Sequence, residues 1–312
     1  MRGLRQTGEV SRHPNYREPS SLPTELRRTT VPPAVRAWVR CVTGRRAVSW
    51  RRLPGASSSA VHALRLSDDT RVVLRRWTWR WVLEDEPVVA RRELDALTLA
   101  ATAGLPAPRV VAADVSGEQV GDGVPATLMT WLPGRAVAVP DLARLAEGAA
   151  AVHEVDADGF GHEFFRWCMG ALTGPPPTAT RPALWERALE LRGTAMPPYE
   201  SRFVHRDYHP GNVLWSRGRL TGVVDWPNAC RGPWECDVAT CRSNLMRLSG
   251  PDAADAFLAA YLALTGREYH PYWDLNYLLE NDADHWTEAE VARAEPFMAQ
   301  LVGELGAVVP QR

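Results

Sequence analysis

Short runs in which apolar and polar residues alternate, or in which β-branched residues are frequent, recur through the first half of the chain, and this pattern favours β-strands. The runs cover residues 50–53, 60–66, 70–76, 108–113 and 126–131. Residues 67–69, Ser-Asp-Asp, separate the second run from the third and predict a hairpin turn. Apolar residues at helical spacing predict one helix from about Pro33 to Gly44 and another over residues 88–103. The first half therefore reads as a small β-rich unit with two helices.

Helical spacing dominates the chain beyond Leu132-Pro133-Gly134, a tripeptide typical of a linker. Helices are predicted after the N-cap residue Asp141 and over residues 185–191, 252–264 and 287–305, with two short strands around the region 203–224. This order predicts an α+β fold with a small β-rich N-terminal lobe, residues 32–131, and a larger, mainly helical C-terminal lobe, residues 132–312. A cleft between two lobes is a usual place for a ligand.

The first 31 residues mix arginine with serine, proline and threonine. A transit peptide would be rich in arginine and poor in acidic residues. Glu9, Glu18 and Glu25 interrupt the pattern, so the sequence favours a disordered tail over a targeting segment.

Composition narrows the class of protein. The chain has 312 residues, 45% of them hydrophobic and 23% charged, and a net charge of −1, so no overall field favours nucleic acid or a membrane surface. No apolar run approaches the roughly 20 residues of a membrane span. Five cysteines without a secretory leader predict reduced thiols in a cytoplasmic protein. Since the chain contains no lysine, every permanent positive charge must come from arginine.

The most informative segment is the run from Phe203 to Trp215, which reads F-V-H-R-D-Y-H-P-G-N-V-L-W. It places Asp207 and Asn212 five positions apart in a loop, and a following β-branched strand ends in Asp225. Phosphoryl transfer needs one carboxylate to accept a hydroxyl proton and oxygen ligands to hold Mg²⁺. Asp207 suits the first task, and Asn212 with Asp225 suits the second.

The series H-R-D-Y-H-P-G-N-V-L-W and G-V-V-D-W resembles the catalytic loop and metal-binding motif of the aminoglycoside phosphotransferase family. Further matching segments place the resemblance over about residues 32–300. That family shares its fold with choline, homoserine and fructosamine kinases and, more distantly, with protein kinases. The resemblance therefore implies a protein-kinase-like bilobal fold.

The resemblance also implies roles for individual residues. Asp207 would be the catalytic base, and Asn212 and Asp225 would bind Mg²⁺. Arg75 stands where kinases carry a phosphate-binding lysine, with Glu93 as its partner, and arginine can grip phosphate through two N–H groups. Arg76 is a competitor for that role. The expected cofactors are Mg²⁺ and ATP, with GTP possible.

A serine-rich loop between the first two strands is the candidate phosphate loop. Its backbone and hydroxyl donors would come from Gly55, Ser57, Ser58 and Ser59. The alternative is an ordinary turn, because Pro-Gly-Ser clusters are usually loops.

Three residues around the candidate base are expected to support its loop. His205 is expected to hold the loop by hydrogen bonds, and His209 either does the same or touches the substrate. Asp237 is expected to cap or brace the helix that begins near Trp234.

An acidic and aromatic stretch late in the chain is a candidate acceptor pocket that would attract a cationic amine. Its members are Trp273, Asp274, Glu280, Asp282 and Asp284. The alternative is core packing of the aromatic residues beside an acidic, solvated loop.

The hypothesis is a phosphotransferase that acts on a small hydroxylated acceptor, which could be an aminoglycoside-like antibiotic, an amino alcohol or a sugar-like metabolite. A nucleotide-binding pseudokinase with a regulatory role is one alternative. A metallohydrolase that uses His205, Asp207 and His209 is the other.

Overall fold

The computed structural model describes residues 30–53, 59–78, 88–138, 140–164, 172–194, 196–280 and 286–308. The predicted tail lies outside these ranges up to residue 29, whereas Val31 is buried. The helices are α1 (Pro33–Thr43), α2 (Val89–Thr102), α3 (Leu142–His153), α4 (Pro182–Arg192), α5 (Glu235–Ser249), α6 (Pro251–Thr265), α7 (Tyr272–Leu278) and α8 (Glu288–Val308). The strands are β1 (Ala47–Arg52), β2 (Ala60–Leu66), β3 (Arg71–Arg76), β4 (Val110–Asp114), β5 (Ala126–Thr130), β6 (Ser201–Val204), β7 (Val213–Ser216), β8 (Arg219–Val223) and β9 (Cys230–Pro233).

The first five strands form one antiparallel sheet in the order β1-β2-β3-β5-β4. The predicted hairpin between β2 and β3 is present, because the amide of Leu66 donates to the carbonyl of Thr70 at 2.8 Å. Asp69 adopts the left-handed conformation at φ 66°, which aspartate tolerates better than most residues. The sheet places Arg75 near the end of a central strand.

Helix α1 packs on this sheet through one face. Val35, Trp38 and Val39, at helical spacing, are buried in a cluster with apolar side chains of β2, β3 and β5. Gly44 ends the helix at φ 70° and donates its amide to the carbonyl of Arg40, as the sequence predicts.

Helix α2 belongs to a different core. Its buried residues Ala96, Leu97 and Ala100 pack in the larger hydrophobic cluster, together with residues of the helical C-terminal part. This helix therefore precedes the predicted lobe boundary in sequence but shares its core with the part that follows. It carries Glu93 on a buried face.

The C-terminal part is mainly helical, and two small antiparallel sheets position its loops. Strand β6 pairs with β9, and β7 pairs with β8. The sequence analysis missed β9 and the short helix α7. Within the described residues, no helix combines the length and apolar character that a bilayer crossing requires.

A buried carboxylate joins α8 to the start of α4. Glu295 is 4% exposed, and its Oε1 accepts from the amides of Thr180 and Arg181 at 2.8 and 2.9 Å and from Trp185 Nε1 at 3.0 Å. Its Oε2 accepts from the hydroxyl of Thr180. The carboxylate caps α4 from a distant helix, which is favourable because negative charge is stabilised at a helix N-terminus.

We expect Glu295→Ala to lower the free energy of unfolding by about 3 kcal/mol, because several buried donors lose a charged acceptor. Urea unfolding followed by far-UV circular dichroism measures the change. Glu304→Ala, on an exposed position of the same helix, is the matched control and should shift stability by no more than about 0.5 kcal/mol. Equal stability losses in the two variants would contradict the capping role.

Candidate active site

The loop after β6 carries the predicted catalytic base. Buried Phe203 and Val204 lead into this loop, and a single 3₁₀ turn, Pro210–Asn212, closes it. The ring of His209 caps the turn, because its Nδ1 accepts from the amide of Gly211 at 3.1 Å. Burial lowers the pKa of His209 to about 4, so this ring is neutral and acts as an acceptor at ordinary pH.

Asn212 is tied directly to Asp207. Its Nδ2 donates to the Asp207 carbonyl at 2.9 Å and to Asp207 Oδ2 at 3.0 Å. The carbonyl of Asn212 accepts from the amide of Val224 at 2.9 Å, which joins the loop to the residue before Asp225. Asp207, Asn212 and Asp225 are therefore brought into one site.

The buried ring of His205 also connects the loop after β6 to the residue before Asp225. Its Nε2 lies 3.0 Å from the carbonyl of Val224, and its Nδ1 accepts from the amide of Asp207 at 3.3 Å. These partners define the Nε2–H tautomer. Burial lowers the pKa of His205 despite nearby Asp237 and Asp225, so the ring is neutral and holds two backbone segments together.

Arg75 reaches this site from the sheet. Its Nη1 donates to Asp225 Oδ1 at 2.7 Å, and its Nε lies 3.2 Å from Glu93 Oε1 in an ion pair without hydrogen-bond geometry. The side chains of Arg75 and Glu93 are 9% and 1% exposed. Arg76 points elsewhere and pairs with Asp122 at 2.7 Å, so the geometry favours Arg75 over its neighbour for the phosphate-binding role.

The carboxylates of the site differ in their affinity for protons. Burial opposes ionisation of Asp225, but the charge and hydrogen bond of Arg75 outweigh it and lower its pKa. Burial and the nearby charge of Asp225 raise the pKa of Asp207. Burial also raises the pKa of Glu93 to about 7, against the attraction of Arg75. The arrangement keeps one charged carboxylate, Asp225, beside a carboxyl group, Asp207, that readily holds a proton.

The carboxylate of Asp237 binds backbone amides of the loop after β6. Its Oδ2 accepts from the amide of His205 at 2.7 Å and its Oδ1 from the amide of Arg206 at 2.6 Å. Arg206 is left-handed at φ 67°, a conformation that costs energy outside glycine. The aspartate, fully buried on the first turn of α5, therefore stabilises a strained residue next to Asp207.

A chain of buried polar groups supports Asp237 in turn. His153 Nε2 lies 3.1 Å from Asp237 Oδ2, and its Nδ1 lies 2.6 Å from the hydroxyl of Tyr261. Arg267 Nη1 donates to the same hydroxyl at 2.6 Å. The pKa of Asp237 is lowered, because its hydrogen bonds with His153 and with the amide of His205 outweigh the effect of burial. The carboxylate therefore remains charged and keeps its grip on the loop.

A cavity of about 350 Å³ opens beside Asp207. It is lined by polar side chains from the loop after β6, the segment between β8 and β9, α5, and the end of α7 with the residues after it. They are Arg206, Asp207, His209, Asn228, Thr240, Ser243, Asn244, Arg247, Tyr277 and Glu280. Of these, Arg206, Asn228, the α5 residues and Tyr277 were not among the predicted site residues. The spacing of residues 240, 243, 244 and 247 on one helical face is the signal that could have found the α5 set.

The predicted acceptor residues divide into three groups. Glu280 lines the cavity. Trp273 and Asp274 do not, because they are 1% and 2% exposed, and Asp274 pairs with Arg242 at 2.9 Å. For these two residues the core-packing alternative describes the structure. The other members, Asp282 and Asp284, lie outside the described residues.

The predicted phosphate loop falls mostly outside the described residues, which exclude Gly55, Ser57 and Ser58. Ser59 is described, at the start of β2. It is 1% exposed, and its hydroxyl has no hydrogen-bond partner among the described residues.

Comparison with known proteins places the chain among phosphotransferases. The family described as "Phosphotransferase enzyme family" matches residues 49–275. A homoserine kinase of Gluconacetobacter diazotrophicus is 30% identical over 156 residues, which cover 44% of this chain and 48% of that protein. The chain thus spans about half the length of this curated relative.

Solved structures share the fold. A ternary complex of the aminoglycoside phosphotransferase APH(4)-Ia with AMP-PNP and hygromycin B superposes with a TM-score of 0.59 at 16% identity, over 88% of this chain and 100% of that chain. The macrolide 2'-phosphotransferase MphH from Brachybacterium faecium gives a TM-score of 0.54 at 19% identity, over 89% and 99% of the two chains. The likeness confirms the predicted α+β, protein-kinase-like fold.

We expect Asp237→Asn to destabilise the protein by about 3 kcal/mol, because the loop amides and His153 lose a buried charged acceptor. The loop should also lose protection, so amide hydrogen exchange at His205 and Arg206 should accelerate more than exchange in α8. Hydrogen exchange with mass spectrometry measures this difference. Asp252→Asn, on an exposed position of α6, is the control. Unchanged exchange in the loop of Asp237→Asn would show that the aspartate does not hold it.

Proposed function

The chain belongs to the phosphotransferase enzyme family, and from this membership we propose that it transfers the γ-phosphoryl group of ATP to a hydroxyl group of a small molecule with the help of Mg²⁺. GTP is the alternative donor. The nucleotide would lie between the five-stranded sheet and the loop after β6.

One observation carries the proposal. Arg75 from β3 meets Asp225 at 2.7 Å, and Asn212 and Asp207 are joined at 3.0 Å in the adjacent loop. A guanidinium, a charged carboxylate, an amide and a second carboxyl group thus lie close to one another. These are the groups that position a triphosphate and an attacking hydroxyl.

The proposed reaction is an in-line displacement at the γ-phosphorus. The acceptor hydroxyl oxygen forms a bond to phosphorus as its proton passes to Asp207, and the bond between phosphorus and the bridging oxygen of the diphosphate breaks. The products are a phosphorylated acceptor and a nucleoside diphosphate. Asp207 needs no large basicity, because proton transfer can follow substantial cleavage of the leaving bond in such a loose transition state.

The donor set suits Mg²⁺. This ion takes oxygen ligands, keeps several waters and is usually held by one or two carboxylates together with substrate phosphates. Asp225 offers a carboxylate whose pKa is lowered. Asn212 uses Nδ2 for both bonds to Asp207, so its amide oxygen lies outside them. When bound, the ion would neutralise charge on the phosphoryl oxygens.

Phosphate binding would fall to Arg75, with Glu93 keeping it in place. Ser59, whose hydroxyl has no partner in the described part of the chain, and its neighbours Gly55, Ser57 and Ser58 would supply further donors from the loop between β1 and β2. His205, His209 and Asp237 would position the loop rather than react. The division of the chain into lobes at residues 32–131 and 132–312 remains part of this proposal.

The metallohydrolase alternative finds no support in the described part of the chain, where no group of three or more His, Cys, Asp or Glu side chains is placed to hold a metal ion. His205 uses both ring nitrogens on backbone partners. The pseudokinase alternative predicts nucleotide binding without turnover, which the next experiment separates from catalysis.

We expect Asp207→Asn to lower kcat by about 10²- to 10⁴-fold, the usual contribution of a positioned general base. The affinity for AMP-PNP in the presence of Mg²⁺ should change by less than about three-fold, because the residue faces the acceptor. Coupled ADP-release kinetics and isothermal titration calorimetry measure the two quantities. Turnover at the wild-type rate in Asp207→Asn would remove the assigned role, and a wild-type chain that binds AMP-PNP but never releases ADP would favour the pseudokinase.

Arg75→Met should weaken AMP-PNP binding by about 10- to 100-fold, since one charged grip on phosphate is lost. Arg75→Lys should fall between this variant and the wild type, because it keeps the charge but not the planar fork. Arg71→Met removes an exposed arginine from the same strand and serves as the control. Isothermal titration calorimetry at fixed Mg²⁺ concentration provides the affinities. Equal affinities for Arg75→Met and Arg71→Met would exclude Arg75 from phosphate binding.

A further inference from the structure

Helix α5 is buried along most of its length, yet one of its faces is polar. Thr240, Ser243, Asn244 and Arg247 follow the i, i+3, i+4, i+7 spacing of a single helical face. All four line the cavity beside Asp207. We call this set the polar strip. The remaining buried residues of the helix, such as Val238 and Leu245, pack in the large core.

Hydrogen bonds within the protein use only some of the polar atoms in the polar strip. Thr240 donates its hydroxyl to the carbonyl of Cys236 at 2.8 Å, and Asn244 donates Nδ2 to the carbonyl of Thr240 at 2.9 Å. These bonds fix both side chains and leave the Thr240 hydroxyl oxygen and Asn244 Oδ1 as possible acceptors. Ser243 is 5% exposed and lines the cavity. Its hydroxyl group can donate one hydrogen bond and accept others, which suits the recognition of a polar ligand.

The charged groups on the cavity wall, in contrast, already have partners. Arg247 pairs with Glu290 at 3.0 Å and lies over the ring of Trp286. Glu280 Oε1 accepts from Asn276 Nδ2 at 3.1 Å.

The second guanidinium on the wall is also engaged. Arg206 donates Nε to the hydroxyl of Tyr277 at 2.9 Å and lies over the ring of Phe164. Apart from Asp207, the described wall therefore carries two guanidinium groups and one carboxylate. An acceptor with several ammonium groups would find no excess of negative charge there.

We propose that the acceptor is a neutral polyhydroxylated molecule of about the size of a simple sugar, and that the polar strip recognises its hydroxyl groups. This inference rests on the proposed phosphotransferase function and names its substrate class. Neutral hydroxyl and amide groups line the cavity, while Arg206, Arg247 and Glu280 each already have a partner within the protein. The cavity volume of about 350 Å³ lies at the lower end of the range of small-molecule sites. Ser243 and Asn244 are the specificity-determining residues.

An acceptor panel tests the substrate class with full-length protein, Mg²⁺ and ATP. It contains neutral sugars and polyols (glucose, fructose, ribose and myo-inositol), the amino acid homoserine and the cationic antibiotic hygromycin B. Phosphorylated product is detected by mass spectrometry, and ADP release gives kcat/KM. We expect the best neutral compound to exceed homoserine and hygromycin B by at least about ten-fold. A higher kcat/KM for either charged compound, or no phosphorylation of any neutral one, overturns the inference.

Variants of the polar strip test the recognition. Ser243→Ala and Asn244→Ala should each raise KM for the best neutral acceptor by about 3- to 10-fold, as expected for one lost hydrogen bond. KM for ATP should remain within about two-fold, a split that general destabilisation would not produce. Ser249→Ala, at the exposed end of the same helix, is the matched control. Unchanged acceptor KM in both strip variants would refute their role.

Different results would contradict the phosphotransferase function and the assignment of a neutral polyhydroxylated acceptor. Loss of the proposed function would appear as no binding of AMP-PNP and no ADP release with any acceptor, and it would remove the inference as well. Efficient phosphorylation of hygromycin B or homoserine would leave the phosphotransferase function standing and remove only the assignment to neutral polyols.

Discussion

The bond between Arg75 and Asp225 is the contact on which the site depends. It joins the five-stranded sheet to the segment after β8, where Asp225 is the proposed Mg²⁺ ligand, 150 positions along the chain. Glu93 also pairs with this guanidinium; Arg75 and Glu93 are buried, whereas Asp225 is partly exposed. Taking charges out of water is expensive unless they compensate one another, so the packing of the sheet, α2 and the β8 loop must hold all three in register. A second hydrogen bond joins α2 to the segment after β8, because Arg92 of α2 donates its Nε to the carbonyl of Pro227.

The absence of lysine from the chain gives this contact a particular form. A guanidinium presents several N–H groups in one rigid plane, whereas an ammonium is a compact point charge. Arg75 uses this plane to face Asp225 through Nη1 and Glu93 through Nε. The ring of Trp77 lies 5.3 Å below the guanidinium, which favours a fixed orientation. Arginine at position 75 is therefore compatible with the two surrounding carboxyl groups, and the arrangement of the site does not have to change to accept it.

The sequence predicted best where the signal is local. The hairpin at residues 67–69 and the end of α1 at Gly44 are determined by turn and cap residues. The short spacing of Asp207 and Asn212 likewise made their proximity predictable. Strand β9 was missed because Cys230–Pro233 has no alternating pattern and is a strand only through pairing with β6. Trp273 and Asp274 were candidate pocket residues. Composition does not reveal that Arg242, from another helix, pairs with Asp274, or that Trp273 packs against Phe164 and Tyr199.

Helix α5 links the two halves of the proposed chemistry. Asp237, which holds the loop of the candidate base, precedes Thr240, Asn244 and Arg247 at intervals of three, four and three residues, so all four share one face. The face that fixes the backbone before Asp207 therefore continues as the wall of the acceptor cavity. Because the core clamps the opposite face, the distance between the base and the polar strip depends on one rigid element. Under the proposed function, substitutions in the polar strip would change which hydroxyl compound is held without moving the candidate base, Asp207.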